Sequence, residues 1–341
     1  MSTHSRVLPY YFPTTVVFID DDESFLNNLS VCLPRELASR MVTQPQRALE
    51  HINEVNNDRA ISEHCFRRPA DAPPIDSDNT LTLPVNLSPI TDALYTEQRF
   101  SEVSVVVVDY DMPSVNGLEV CRRLDPTGVK KILLTGKADE KIAVQAFNNG
   151  LIDRFVSKGD PAMTELLISA IGELQQRYFA TAARPLAGIL AQPDLGYLSD
   201  LQFTHSFHQL AEQHNWVEYY LSPQPAGMLC LTADGQASQL LVADSQQQQL
   251  SYERASRMGA PAEVLKLIRS AEVILDLSEA DSDDFQWKEN IHLSLPATES
   301  TDWRIALLDR PRGLKYDPEQ LYNYRYYLEI LHYIEHELKG A

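Results

Sequence analysis

Cysteine is scarce in this chain of 341 residues: Cys32, Cys65, Cys121 and Cys230 lie far apart and no CxxC pair occurs. That argues against a disulfide framework and fits a reducing cytosol. Positive charge is short as well, with 29 Lys and Arg against 48 Asp and Glu and a net charge of -19. A duplex-binding surface needs clustered basic residues. No basic stripe appears, and from residue 183 onward acidic residues again outnumber basic ones, so no nucleic-acid partner is expected. Long apolar runs are missing too. Nowhere do about 18 apolar residues run together, and the N-terminus has no cationic segment followed by an apolar one. The expectation is a soluble cytoplasmic protein with no membrane partner. Neither a GxxxxGK phosphate loop nor a GxSxG elbow is present, which removes two common catalytic motifs.

What the chain does have is a run of four valines, Val105 to Val108, that ends in Asp109 and a loop marked by Pro113 and Gly117. A short β-branched run bounded by turn residues reads as a strand buried on both faces, as in a parallel sheet. Strand and helix alternate around it. Thr15 to Ile19 is a strand ending in Asp20, Asp21, Asp22 and Glu23, and Ser24 is placed to cap a helix with apolar residues recurring to Leu37, which Pro34 should bend or interrupt. Met41 to Gln44, Lys130 to Leu134 and Ile152 to Val156 read as further strands. Gln46 to Val55, Gly117 to Leu124, Asp139 to Asn149 and Pro161 to Phe179 read as helices. This alternation is the signature of an α/β domain with a doubly wound, five-stranded parallel sheet.

The resulting division is an N-terminal surface arm at 1–14, the α/β domain at 15–180, a linker at 181–199 and a second domain at 200–341. Residues 56–102 interrupt the rhythm, with Pro69, Pro73, Pro74, Pro84 and Pro89 among acidic residues. Such a stretch reads either as a mobile surface loop or as an insertion that docks through Leu81, Leu83, Val85, Leu87 and Ile90.

The strand ends share one chemistry. Asp20, Asp21, Asp109, Thr135 and Lys158 all fall at the carboxyl edge of the expected sheet, where open α/β folds place reactive groups. Two carboxylates about 4 Å apart repel by roughly 4 kcal/mol at an effective dielectric of about 20, so gathered acids call for a cation. All-oxygen ligands suit Mg²⁺. With a lysine and a hydroxyl beside them, these are the parts needed to phosphorylate an aspartate. Taken singly, the acidic run could merely favour a helix N-terminus, and Phe155 reads equally as a core residue.

Together these residues resemble the receiver domain of response regulators, the CheY-like family of two-component signalling. The resemblance implies that Asp109 is the phosphoacceptor, followed by the MPxxxG shape of Met112, Pro113 and Gly117. It implies Mg²⁺ held by Asp20, Asp21, Asp109 and the backbone carbonyl of Asp111, an active-site Lys158, and Thr135 and Phe155 as switch residues. The chain departs from the family at Gly159, where a proline is usual, and in its long insertion. Asp111 and Lys137 are placed to pair over the site and slow hydrolysis of an acyl phosphate. The implied partners are a sensor histidine kinase or phosphotransfer protein, a second copy of the chain on phosphorylation, and an unknown downstream protein.

The second half reads as a separate α+β domain with an antiparallel sheet. Asp200 to Asn215 is a helix. Trp216 to Leu221, Met228 to Thr232 and Ser238 to Val242 are strands, with Asp234 and Gly235 as a hairpin turn. Two helices, three more strands and a closing helix from Pro318 to Leu338 follow. His332, Glu335 and His336 spell HxxEH, a zinc-peptidase spacing. No further ligand follows it, so a solvated rim is expected there. The texture is similar to response regulators with a non-DNA-binding output domain, including those of α-hydroxyketone quorum sensing. Three outputs stay open: a dimerising or partner-binding module, an enzymatic or small-ligand or nucleotide-binding domain, and a DNA-binding regulator.

Overall fold

The computed structural model describes residues 6–56, 61–66, 85–113, 115–124, 128–136, 140–223, 225–280, 285–298, 302–311 and 316–340. The chain forms two units, each assembled from segments distant in sequence. One gathers Phe12–Ala60, Thr96–Ala182 and Tyr324–Ala341, and the other Met1–Tyr11, Ile61–Tyr95 and Ala183–Asn323. In chain order the strands begin with β1 (Tyr10–Tyr11), which belongs to the second unit, and β2 (Thr15–Ile19), which opens the first.

The first unit continues through α1 (Glu23–Cys32), β3 (Ser39–Val42) and α2 (Pro45–Val55). Short helices α3 (Ile61–His64) and α4 (Ser88–Asp92) belong to the second unit. The first unit then resumes with β4 (Val103–Asp109), α5 (Gly117–Leu124), β5 (Lys130–Thr135), α6 (Glu140–Asn148), β6 (Arg154–Ser157) and α7 (Met163–Ala182). Its five strands run parallel in the order β3-β2-β4-β5-β6. The valine run is therefore central, and Val105, Val106, Val107 and Val108 are all fully buried. Alternation sorts them to opposite faces: Val106 and Val108 pack with α2, α5 and α6 residues such as Ile52, Val120 and Ala143, and Val105 and Val107 pack with Leu26 of α1 and Leu167 and Ile171 of α7. At roughly 1.5–3 kcal/mol for each buried valine, this strand anchors everything attached to its end.

The second unit contains α8 (Ala187–Leu190), α9 (Leu201–His214), β7 (Trp216–Pro223), β8 (Ala226–Thr232), β9 (Ala237–Ala243), α10 (Ser245–Arg257) and α11 (Ala262–Arg269). It closes with β10 (Val273–Leu275), β11 (Ile291–Leu293), β12 (Leu295–Pro296) and β13 (Arg304–Leu308). A six-stranded antiparallel sheet runs β1-β7-β8-β9-β13-β12, and β10 pairs with β11 separately. The expected hairpin joins β8 to β9, with Gly235 at φ 79.

Several expectations are redrawn. Asp22, not Ser24, caps α1 by accepting from the Phe25 N–H at 3.0 Å, and of the two outcomes expected at Pro34 the helix is interrupted, α1 stopping at Cys32. The N-terminal arm is no loose surface segment: Tyr10 is buried and pairs with Tyr220, and Phe12 is buried against Phe179. Within the insertion, Ile90 and Leu94 are buried in helical turns, while Leu81 and Leu83 lie outside the described residues. The closing helix, α12 (Tyr324–Gly340), belongs to the unit of the parallel sheet. There Tyr324 donates to the Glu36 carbonyl at 2.7 Å, and its ring packs 5.1 Å from that of Phe100. Tyr324 is thus a packing residue of this unit, whereas Tyr326 and Tyr333 are exposed. The side chains of Glu335 and His336 lie outside the described ones.

Candidate functional site

Parallel strands place their ends at one edge, and the sequence puts polar groups at those ends. In β4, Asp109 is the last residue and pairs with Leu134 of β5. Asp20 follows Ile19, whose neighbour across the ladder is Val108. Thr135 ends β5, and its carbonyl accepts from the Lys158 N–H at 2.9 Å, which seats the lysine one residue beyond β6. Asp20, Asp109, Thr135 and Lys158 are thereby brought together from four strands.

The contacts are close and shielded. Lys158 Nζ lies 2.6 Å from Asp20 Oδ2 and 2.8 Å from Asp109 Oδ1. The residues Asp20 and Asp109 are only 1% and 6% exposed. Below the lysine, its Nζ stands 4.4 Å from the centre of the Phe25 ring, an apolar and cation-attracting floor. Burial pushes the Asp20 carboxyl above the usual carboxylate range, against the opposing pull of Lys158 and of the Asp22 N–H, which donates to Oδ1 at 2.9 Å. For Lys158, burial pulls downward and is outweighed by hydrogen bonds to Asp109 and Asp20, so its ammonium is held above the usual lysine range.

One ammonium does not balance the acids present. Carboxylate oxygens of Asp20, Asp21 and Asp109 all lie within 4.8 Å of one another, with Asp21 exposed and the other two buried. An all-oxygen set open to water on one side fits a hard divalent cation such as Mg²⁺. Thr135 is fully buried and its Oγ1 has no hydrogen-bond partner among the described residues. An orphaned donor at the site's edge is the kind of group that an arriving oxyanion would satisfy.

The loop after Asp109 is locked by glycine. A Cβ at Gly117 would stand 2.2 Å from the Asp109 carbonyl oxygen, so only a residue without one lets α5 start so close to the acid. Asp111 is exposed beside it. Lys137, expected to pair with Asp111, lies outside the described residues. Phe155 is half-buried against the α2–α5–α6 side of the sheet, with its ring 6.4 Å from that of Phe147 at 72°. Gly159 does not displace its neighbour: Lys158 still reaches both acids. The sequence reading missed the Phe25 floor, whose only signal is an aromatic residue in the first turn after an acidic run.

Parts of the chain are similar to known proteins. The family described as "Response regulator receiver domain" matches residues 87–171, a span holding Asp109, Thr135 and Lys158; Asp20 and Asp21 precede it, beyond the insertion. The chain is 33% identical over 99 residues to the methanogenesis regulatory protein FilR1 of Methanothrix harundinacea, covering 26% of this chain and 22% of that protein. It is 34% identical over 95 residues to the uncharacterized transcriptional regulatory protein YclJ of Bacillus subtilis, covering 27% of this chain and 40% of that one. The chain thus spans well under half of either curated relative. The solved structure of the Legionella pneumophila response regulator LqsR is similar over almost the whole length: 30% identity, TM-score 0.77, and 96% of this chain against 97% of that one.

Proposed function

This chain belongs to the response-regulator family, and from that premise we propose that it accepts a phosphoryl group on Asp109 from a histidine kinase or phosphotransfer protein. In the transfer an Asp109 carboxylate oxygen attacks phosphorus. The new O–P bond replaces the N–P bond of the donor phosphohistidine, whose electron pair returns to the imidazole nitrogen. Lys158 orients Asp109 from 2.8 Å and afterwards pairs with a phosphoryl oxygen. The Thr135 hydroxyl, without a partner among the described residues before the transfer, turns toward another. Asp20, Asp21, Asp109 and the Asp111 carbonyl would hold Mg²⁺, which when bound offsets charge on the transferring group.

The observation that carries this reading is the single ammonium bridging two buried carboxylates beside a third, exposed one. The consequence we propose downstream is a shift of Thr135 and Phe155 that repacks α6, β6 and α7. Because α7 leads directly into the second half of the chain, that shift gates the other unit through homodimerisation or a downstream protein. Likeness to the response regulator LqsR across both halves supports a signalling role for the whole chain, and the sequence resemblance extends the proposal to α-hydroxyketone quorum sensing with an output other than DNA binding.

The test is incubation with acetyl phosphate and Mg²⁺, read by intact mass. A gain of one phosphoryl group, absent in Asp109→Asn and absent with chelator, is expected. An unmodified wild-type protein would sink the proposal. Solution mass of the phosphorylated form then distinguishes a dimer from a partner-dependent output.

A further inference from the structure

The second unit contains a cavity of about 270 Å³ beneath the start of α10, lined among others by Ser245, Gln248, Tyr252, Arg269, Asp302 and Arg304. That volume suits a small metabolite, just under the range of drug-sized pockets. Two features of its wall point to what would fill it.

The first is an orphaned acceptor. Gln248 is 7% exposed, its Nε2 donates to the Val273 carbonyl at 3.1 Å, and its Oε1 is buried with no hydrogen-bond partner among the described residues. The amide cannot be turned round to relieve this, because Oε1 would then face the Val273 carbonyl. A ligand N–H or O–H is what this oxygen lacks.

The second is a pair of guanidinium groups without carboxylate partners among the described residues. Arg304 is held rigidly: Nε donates to Ser294 Oγ at 2.9 Å and Nη2 to the Ser294 carbonyl at 3.0 Å. Ser294 is itself fixed by donating to the Ala271 carbonyl at 2.7 Å, and Ala271 is a non-glycine residue at φ 53. Among the described residues the Nη1 of Arg304 has no acceptor and is left for another. Arg269 lies over the Tyr252 ring, its Cζ 4.5 Å from the centroid, and donates to that hydroxyl. The exposed Asp302 is already engaged by Ser245, whose Oγ donates to it at 2.8 Å. The two guanidinium groups and the unused amide oxygen belong to side chains that line one cavity, which brings anion recognition and a hydrogen-bond acceptor to the same site.

We propose that this cavity binds a small organic anion, a carboxylate or phosphate, that also carries a hydroxyl or amino donor. Arg304 and Arg269 take the anionic group and Gln248 Oε1 takes the donor. The second unit then reads a metabolite as well as the state of the receiver.

The test is calorimetric titration of the full chain without divalent metal, which leaves the receiver acids repelling anions. The probes are 3-phosphoglycerate, its analogue lacking the hydroxyl (3-phosphopropionate), 3-hydroxybutyrate and uncharged glycerol. Saturable binding of at least one hydroxylated anion at one per chain is expected, with none for glycerol. Loss of one charge-assisted contact in Arg304→Gln or in the surface variant Arg269→Gln is expected to weaken it about tenfold or more. The analogue without the hydroxyl is expected to bind about tenfold more weakly than its parent. No saturable binding of either hydroxylated anion, or undiminished binding in both arginine variants, would overturn the site. Equal affinity for 3-phosphoglycerate and 3-phosphopropionate would overturn the role given to Gln248.

Discussion

The ammonium of Lys158 lies 2.8 Å from Oδ1 of Asp109, and the same nitrogen also reaches Asp20. Removing it leaves two buried carboxylates facing each other with no counter-charge, a costly arrangement in a partly dry site. Lys158→Ala is therefore expected to lose about 1–3 kcal/mol of stability in metal-free buffer, much of it restored by Mg²⁺. Chemical denaturation with and without Mg²⁺ checks this, and a variant as stable as the parent in both buffers would mean that the lysine is not balancing the acids.

Divalent metal should stabilise the intact protein through the exposed acid as well as the buried pair. Binding to the folded state alone adds RT ln(1 + [L]/Kd), about 2.7 kcal/mol at a hundredfold excess over Kd. Asp21 is exposed, so Asp21→Ala is expected to leave the metal-free melting temperature within about 1–2 °C of the parent while sharply reducing the rise produced by Mg²⁺. An undiminished rise would place the cation elsewhere.

The turn after Asp109 tolerates no side chain at Gly117. The atoms that a new Cβ would meet are all backbone, the Asp109 oxygen at 2.2 Å, its carbon at 3.0 Å and the Tyr110 Cα at 3.1 Å, and none can swing aside. Gly117→Ala should cost about 2–4 kcal/mol and slow phosphorylation by shifting Asp109. A melting temperature equal to the parent's would show that the loop has room that the geometry denies.

A histidine of α2, His51, gives a pH signature. Burial, reinforced by the guanidinium of Arg40 with Nη1 3.1 Å from Nε2, pushes His51 below the ordinary histidine range. The unfolded chain therefore takes up this proton first. Stability contributed by the neutral ring is full above about pH 6.5 and is lost as pH falls through that value toward the lower folded pKa. His51→Gln is expected to flatten this part of the stability profile, measured by urea unfolding at stepped pH, with the parent showing the steeper acid loss.

How much of this was legible depended on the distance over which each signal acts. Strand β2 at Thr15–Ile19 could be read to the residue because β-branched and apolar runs are local signals. Asp20, Asp109, Thr135 and Lys158 were legible because parallel strands carry their last residues to one edge regardless of what connects them. The pairing of Tyr10–Tyr11 with β7 and the return of α12 to the parallel-sheet unit were not, since two residues carry no period and helical periodicity does not name the surface it covers. Asp22 displaced Ser24 as the cap of α1 because both are good cap residues and the strand end, not propensity, set where the first turn began. The cavity under α10 had no sequence signal at all, as its arginines and Gln248 are scattered over more than fifty residues.

The hydroxyl of Thr135 is buried with no hydrogen-bond partner among the described residues, and a buried unsatisfied donor costs about 1–3 kcal/mol. Replacing it by an apolar group of the same shape removes that cost. Thr135→Val is therefore expected to be neutral to stabilising, by up to about 1 kcal/mol, before phosphorylation. The same change deprives an acyl phosphate on Asp109 of a donor, so the shift in solution mass or partner binding that follows phosphorylation should shrink while modification itself persists. Thr135→Ser, which keeps the hydroxyl, should restore the response. If the valine variant were destabilised by more than about 2 kcal/mol, the hydroxyl would already be satisfied in the resting protein. If it responded to phosphorylation like the parent, the hydroxyl would have no part in the switch.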